Sequence, residues 1–387
     1  MEITSPSLEC FNIFLRLSDF VTPIGGNIMD TGPNGPPNKF TYIMYTLLAL
    51  NLVMTCNAIH YTHNDFVGLA FSLVTFGFTV QGFVKLYVII GCRVKIRNLI
   101  STAQNFIVGY EANSRLRDIF DRYNKFCNFC RPLVLYLYAI SGVSVISVTI
   151  AIGVWTKTKI LPFGFMMPFI DHTSDGGYAL NFMYMLIVTV YAVYGLFASD
   201  FGFLCFMAMA CSQVETIGQL CKDLTDYLEL HGSEDLEEIQ KLIILIATAQ
   251  RSHTNYMKNL EDSFGIHSFI IIASSMIAVA ITIFVFIQHF WLNGIMIATI
   301  LMWQIFAICT VGGIYMIKVD QVMMEINETK WYLLPWRNQK IFINIIHNAQ
   351  HPVEPSAMGR LPLNFETFVN CIKMMYQFLM LLLNMSN

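Results

Sequence analysis

Residues 263–317 read SFGIHSFIIIASSMIAVAITIFVFIQHFWLNGIMIATILMWQIFAICTVGGIYMI, 55 consecutive positions with no Asp, Glu, Lys or Arg. A helix rises about 1.5 Å per residue and the hydrocarbon core of a bilayer is roughly 30 Å thick, so about 20 apolar residues make one crossing. The run is therefore two crossings, and the polar knot Gln288-His289 with Asn293-Gly294 supplies the turn between them. Working outward, Phe40–Asn64 is uncharged, as is Phe66–Val84, whose apolar character resumes past Lys85 to Cys92. Pro132–Thr156 and Gly176–Ser199 are uncharged too, the latter continuing past Asp200 to Ala210. A weaker seventh stretch, Asn364–Met385, carries Glu366 and Lys373. Only 13% of the chain is charged and 55% is hydrophobic, against about 25% charged in soluble domains.

The expected fold is all-α: a polytopic membrane protein with seven transmembrane helices. Residues 40–210 hold spans one to four (about 40–60, 66–92, 132–156 and 178–210), 263–317 hold spans five and six, and 363–387 hold span seven with a short C-terminus. The segments 1–39, 211–262 and 318–362 share one side of the membrane with the loop between spans two and three. Those four segments carry nineteen Lys and Arg, whereas the opposite side carries only Lys157 and Lys159. Basic loops stay cytosolic, so the N-terminus is expected in the cytosol and the C-terminus outside. Lys85 and Asp200 lie about 20 residues in from the outer starts of spans two and four, at a shared depth. Either they pair or Lys85 snorkels to the headgroups.

The connections are patterned. In Val214–Asp262, Leu236, Ile239, Leu242, Ile243 and Ile246 recur like one face of a helix, and Ile341, Ile345 and Ile346 do the same in Asn338–Gln350. These helices either extend the spans into the cytosol or lie on the lipid surface. The acidic excess in Val214–Asp262 favours the first, because surface-lying helices are rich in Lys and Arg. The first twenty residues, with Phe11, Ile13, Phe14 and Leu15 broken by Glu9, Arg16 and Asp19, suit an interfacial or re-entrant amphipathic helix better than a signal peptide.

Other chemistries find little support. A net charge of −3 with no basic stripe argues against nucleic acid. Of ten cysteines only Cys56 falls near the outer face, so no structural disulfide is expected, and Cys127-x-x-Cys130 lacks the second pair of a zinc site. His60-x-x-His63 with Asp65 reads as a solvated outer loop. Asn327-Glu328-Thr329 is a sequon on the cytosolic side, and Asn384-Met385-Ser386 lies close to the membrane and the chain end. No phosphate loop, nucleophile elbow, cofactor motif or metal cluster stands out, and no enzyme is expected. Asp121-Arg122-Tyr123 spells the tripeptide of rhodopsin-like G-protein-coupled receptors, but it precedes the third span on a chain of opposite orientation.

The last span has a hydrophilic edge. Glu366, Asn370, Lys373, Gln377 and Asn384, spaced 4, 3, 4 and 7 apart, fall within roughly 60° of one another at about 100° per residue. Phe368, Ile372, Met375, Leu379 and Leu382 form the opposite face. A charge at the bilayer centre costs about 2.5–3.5 kcal/mol on insertion scales, so such an edge faces water or protein. It either lines an aqueous path or packs inside one bundle. The pore reading assigns Asn370, Lys373, Gln377, Met380 and Asn384 to the lining. Met380, the edge's apolar member, would narrow the path and gate by dewetting. One chain supplies one such helix, so a central pore implies an oligomer.

Trp331, Leu334-Pro335, Arg337, Lys340, Ile345-Ile346 and Gln350-His351-Pro352 resemble the last cytosolic segment of insect odorant receptors. Gly359, then Leu361-Pro362-Leu363-Asn364-Phe365-Glu366-Thr367-Phe368, Lys373 and Tyr376, resemble that family's seventh-span signature; Gln377-Phe378 departs from the usual Ser-Tyr. The resemblance covers about 55 residues, the other spans matching in number, orientation and loop size. It implies a ligand-gated non-selective cation channel in the plasma membrane of a sensory neuron dendrite. The channel would be a heterotetramer with the shared odorant receptor co-receptor, its subunits joined by a cytosolic anchor domain that includes 318–362. The co-receptor itself carries a longer fourth loop than Val214–Asp262. A gustatory-type receptor channel of the same fold is the alternative.

The family's pocket lies among the outer halves of spans two to six, where this chain offers Phe71, Val74 and Thr75; Ser147, Val148, Ala151 and Trp155; Tyr184, Ile187 and Tyr191; and Phe284, Met302, Ile305 and Phe306. An apolar, aromatic setting suits a small volatile organic ligand, which gains about 0.8 kcal/mol per buried CH₂.

Overall fold

A computed structural model describes residues 39–63, 66–163, 167–168, 170, 174–232, 235–289 and 292–386. The amphipathic segment expected within the first twenty residues lies outside these, as does Asp65. The fold is nearly all helix: α1 Lys39–Thr62, α2 Phe66–Gly91, α3 Arg93–Tyr110, α4 Ser114–Thr156, α5 Asp175–His231, α6 Leu236–His289, α7 Leu292–Glu328, α8 Trp336–Ala349 and α9 Phe365–Ser386. A two-residue antiparallel hairpin, β1 Ser356–Ala357 with β2 Leu361–Pro362, precedes α9. Among the described residues five helices, α2 and α4 to α7, are long and apolar enough to cross a membrane. Helices dominate because lipid cannot satisfy a backbone N–H or C=O.

Helix ends follow local chemistry. Asn113 caps α4 by accepting from the Arg115 N–H at 3.0 Å, and Ser174 caps α5 by accepting from the Gly177 N–H at 3.1 Å. Gly232, at φ 66°, closes α5 where a side chain would be strained. α6 ends at His289 and α7 begins at Leu292, at the polar knot expected to turn the chain. The uncharged stretch Pro132–Thr156, expected as the third span, is the later part of a longer helix, α4, which begins at Ser114 and runs through Pro132. A proline removes one backbone donor, and the helix outlasts that loss because both flanks are helix-forming.

The spans continue as long helices beyond their apolar stretches. α5 covers 57 residues and α6 covers 54, and Ile239, Ile243 and Ile246 are fully buried there as their spacing requires. From Phe197 to Val214, α5 is apolar nearly all round and buried on almost every face, which makes it the central element of the bundle. The Asp121-Arg122-Tyr123 tripeptide is a strut here. Arg122 Nη1 and the Tyr123 hydroxyl reach the two Glu215 oxygens at 2.8 and 2.9 Å, tying α4 to α5, with Lys318 Nζ of α7 3.8 Å from the same carboxylate.

α7 and the start of α9 meet closely. A β-carbon on Gly312 would run into the Leu363 carbonyl, and one on Gly313 would strike the Phe365 ring. Asn364 then caps α9, accepting from the Thr367 N–H at 2.8 Å, while the Thr367 hydroxyl donates to the Pro362 carbonyl at 2.6 Å.

In the same long-helix region His253 of α6 lies 3.0 Å from Gln213 Oε1 and 3.0 Å from the Tyr315 hydroxyl. Burial pushes its pKa down to about 4, so the ring is neutral. In the unfolded chain a histidine titrates near 6.5. Its contribution is therefore complete above about pH 6.5 and disappears as pH falls toward about 4, on the order of 3 kcal/mol in all. The thermal unfolding midpoint of the purified protein should fall as pH drops through that window, and His253→Gln should flatten the dependence. An unchanged pH slope in the variant would show that another group controls it.

Candidate functional site

A cavity of about 210 Å³ lies among α1, α2, α4, α5 and α7. Leu47, Leu48 and Asn51 come from α1; Thr75, Phe78, Thr79, Gly82, Lys85 and Leu86 from α2; Tyr138, Ser141, Gly142 and Val145 from α4. α5 supplies Val188, Thr189, Tyr191, Ala192, Val193, Gly195 and Leu196, α7 supplies Ile297 and Ile300, and Phe163 closes in from the loop before α5.

Its hydroxyl-bearing residues present little polarity. Thr75, Thr79, Ser141 and Thr189 each donate to a carbonyl one turn back in their own helix, at 2.8, 3.0, 2.8 and 2.7 Å. A hydroxyl whose proton is spent in this way has no donor left for an occupant. At these four positions the wall therefore offers no free donor.

One end of the cavity is different. Lys85 Nζ of α2 sits 2.6 Å from Asp200 Oδ1 of α5, with the two side chains 4% and 13% exposed. The Tyr138 hydroxyl of α4 donates to the other Asp200 oxygen and accepts from Gln304 Nε2 of α7 at 3.2 Å. Behind Asp200, His267 of α6 lies 2.9 Å from the Ser199 hydroxyl. Five helices thus converge around one buried carboxylate–ammonium pair. Of the two sequence readings for Lys85, pairing is the one realised.

The 7tm Odorant receptor family model matches residues 65–376. The chain belongs to the odorant receptor family. It is 19% identical over 395 residues to a Drosophila melanogaster protein provisionally named odorant receptor 83c, covering 96% of this chain and 97% of that one. The fold matches olfactory receptor OR5 of Machilis hrabei with a TM-score of 0.82, at 14% identity over 98% of this chain and 99% of that one. The structure of the same receptor in complex with eugenol matches with a TM-score of 0.78, at 14% identity over 98% and 100%. The receptor is thus a multi-pass membrane protein of the olfactory class.

Only Thr75 and Tyr191 of the pocket residues expected from sequence line this cavity. Trp155 is 89% exposed, and Ser147, Ala151 and Ile187 also point outward, with Val148 half-buried beside them. Phe71 packs against the core and Val74 is buried within it, as are Met302 and Ile305 respectively. Tyr184 turns to α1, its hydroxyl 3.3 Å from Asn51 Oδ1. Phe284 joins a cluster with Ala70 and Val285, and Phe306 meets Phe368 of α9 at 5.4 Å between ring centroids. The physical reason is general: core-facing and lipid-facing sides of a span are equally apolar, so hydrophobicity does not mark the inner one. α1 was left out of the expected pocket and contributes three residues; α6 was included and contributes none. A signal for Lys85 existed, a charge inside a span, whereas Tyr138 carried none.

On α9 the residues assigned to a pore, Asn370, Lys373, Gln377, Met380 and Asn384, are all exposed, as is Glu366, while Cys371 and Met375 are buried. Ile372, placed on the apolar face from sequence, is 41% exposed.

Breaking a buried pair by removing one partner strands a charge and costs about 3–5 kcal/mol, whereas removing both together is close to neutral. Asp200→Asn alone should sharply lower the thermal unfolding midpoint of the receptor in nanodiscs. Lys85→Met with Asp200→Asn should recover most of that loss. Equal destabilisation in single and double variants would refute the coupling.

Proposed function

We propose that this receptor is the odorant-binding subunit of a ligand-gated, non-selective cation channel, assembled with odorant receptor co-receptor subunits as a heterotetramer in the plasma membrane. Seven spans, α1, α2, α4 to α7 and α9, cross the bilayer with the N-terminus in the cytosol, an orientation supported by nineteen basic residues against two. The far ends of α5 to α7, with α8 and the hairpin, form the cytosolic anchor domain. A small volatile occupies the cavity walled by α1, α2, α4, α5 and α7, and α9 lines the pore.

One observation carries the reading. α9 leaves its hydrophilic edge unpacked in the single chain while its other side meets helices connected to the cavity. Leu379, Leu382 and Leu383 pack on a cluster of Ala70 from α2 with Phe284 and Val285 from α6. Phe368 meets Phe306 of α7, six residues beyond the cavity residue Ile300. A ligand that fits one arrangement of α2 and α7 better than the other shifts the population toward it, and α9 moves with them. The eugenol complex of the Machilis hrabei receptor supports a volatile of similar size here. Micromolar affinity needs about 8 kcal/mol, within reach of a ligand of about ten heavy atoms.

Currents recorded from oocytes expressing the receptor with a co-receptor, against a panel of volatiles, test this. Thr75→Trp fills the cavity and should abolish ligand-evoked current while surface delivery persists. Absence of current for every volatile, with or without co-receptor, would count against the channel reading. On α9, Lys373→Glu and Gln377→Lys should alter cation permeability ratios, and Met380→Ala should raise the basal leak. Unchanged conductance, selectivity and leak in all three would remove α9 from the pore.

A further inference from the structure

The cavity presents self-satisfied hydroxyls along its length and, at one end, a cation with donors to spare. The Lys85 side chain is only 4% exposed, and its ammonium carries three N–H donors. Among the described residues Asp200 is its one hydrogen-bond acceptor, at 2.6 Å. The other two donors belong to a group that lines the cavity. Tyr138, also on that wall, has its proton committed to Asp200 and accepts from Gln304. Asp200 balances the charge of Lys85, so this end is electrically neutral yet rich in donors.

We propose that the cavity takes a neutral oxygenated volatile, a ketone, aldehyde or ester, whose carbonyl oxygen accepts from Lys85 Nζ while its hydrocarbon body lies along Leu48, Phe78, Leu196 and Ile300. This rests on the reading of the cavity as the ligand site. A hydrocarbon fills the same space and leaves the donors unpaired, which is costly in a buried setting. A carboxylate brings a second negative charge beside Asp200, and an ammonium brings a second positive charge beside Lys85; neither is compensated where water is scarce. Only a neutral acceptor meets the donors without unbalancing the pair. The Asn51 amide of α1 accepts from the Tyr184 hydroxyl through Oδ1; it is unchanged in the Lys85→Met/Asp200→Asn variant below, which isolates the part played by the ammonium.

The test compares four probes of equal heavy-atom count: 2-nonanone, decane, octanoate and nonylamine. Each is applied to the full receptor, as currents in oocytes with co-receptor and as thermal shifts of the purified protein in nanodiscs. The ketone should act at a concentration about tenfold or more below decane, the margin expected of a hydrogen bond to a charged group, with the acid and the amine weaker than the ketone. In the Lys85→Met/Asp200→Asn double variant the ketone's advantage over decane should fall below about twofold. The ranking in the unmodified receptor stands as evidence even if the variant fails to fold. Equal potency of ketone and decane, or an advantage that survives in the folded double variant, overturns the acceptor assignment and leaves the cavity as the ligand site. Silence of all four probes in both assays overturns the cavity reading and this assignment together.

Discussion

Hydrocarbon cannot solvate a charge, and the bundle is arranged around that prohibition. The Lys85–Asp200 pair, with Tyr138 and Gln304 on its flanks, draws α2, α4, α5 and α7 to one point. Each member limits where its helix can sit, because a buried charge that loses its partner costs about 3–5 kcal/mol. The apolar contacts around it are numerous but interchangeable, since a leucine meets lipid and protein on similar terms. The polar knot is specific where the rest of the packing is permissive. It also ends the cavity, so the group that fixes the bundle is a group that an occupant would touch.

The helices were legible in the sequence to the degree that charge marked them. The gap from Ser263 to Ile317 falls on the apolar parts of α6 and α7 and on the break between them, and Gln288-His289 is where α6 stops. The isoleucine spacing at 239, 243 and 246 identified a buried helical face. Charge bounded the stretch Pro132–Thr156 but not the helix that holds it, because α4 begins eighteen residues earlier, at Ser114. The loop expected between spans two and three, read chiefly from its basic residues, is α3 and the first turns of α4, joined at Asn113.

The cavity was much less legible, for a reason intrinsic to membrane bundles. In a soluble helix the polar face marks outside, and the inner face follows by subtraction. In a span both faces are apolar, and Trp155, an attractive pocket residue by composition, points outward. Hydroxyls mislead in the opposite sense. Thr79 and Ser141 suggest polar recognition, yet each spends its one donor on its own helix. What survives both confusions is charge, because charge inside a span must be answered by something. Lys85 and Asp200 were matched by depth alone, and they are the pair that meets.

If α9 lines the proposed pore, the geometry at its start restricts how it can move. Gly312 and Gly313 admit Leu363 and Phe365 so closely that α7 and the α9 entry leave no room between them, and Asn364 and Thr367 fasten the first turn. Beyond that turn α9 rests on apolar contacts, with Phe368 against Phe306, Cys371 and Met375 buried, and Leu379, Leu382 and Leu383 on the Ala70 cluster, and its hydrophilic edge is exposed in the single chain. Apolar contacts have little directionality, so sliding along them is inexpensive, whereas breaking the clamp at the entry requires backbone to part from backbone. A helix held at one end and loosely packed along the rest moves by tilting about the held end. Met380 and Asn384, nearest the far end, would then sweep the widest arc, and Glu366 would scarcely move.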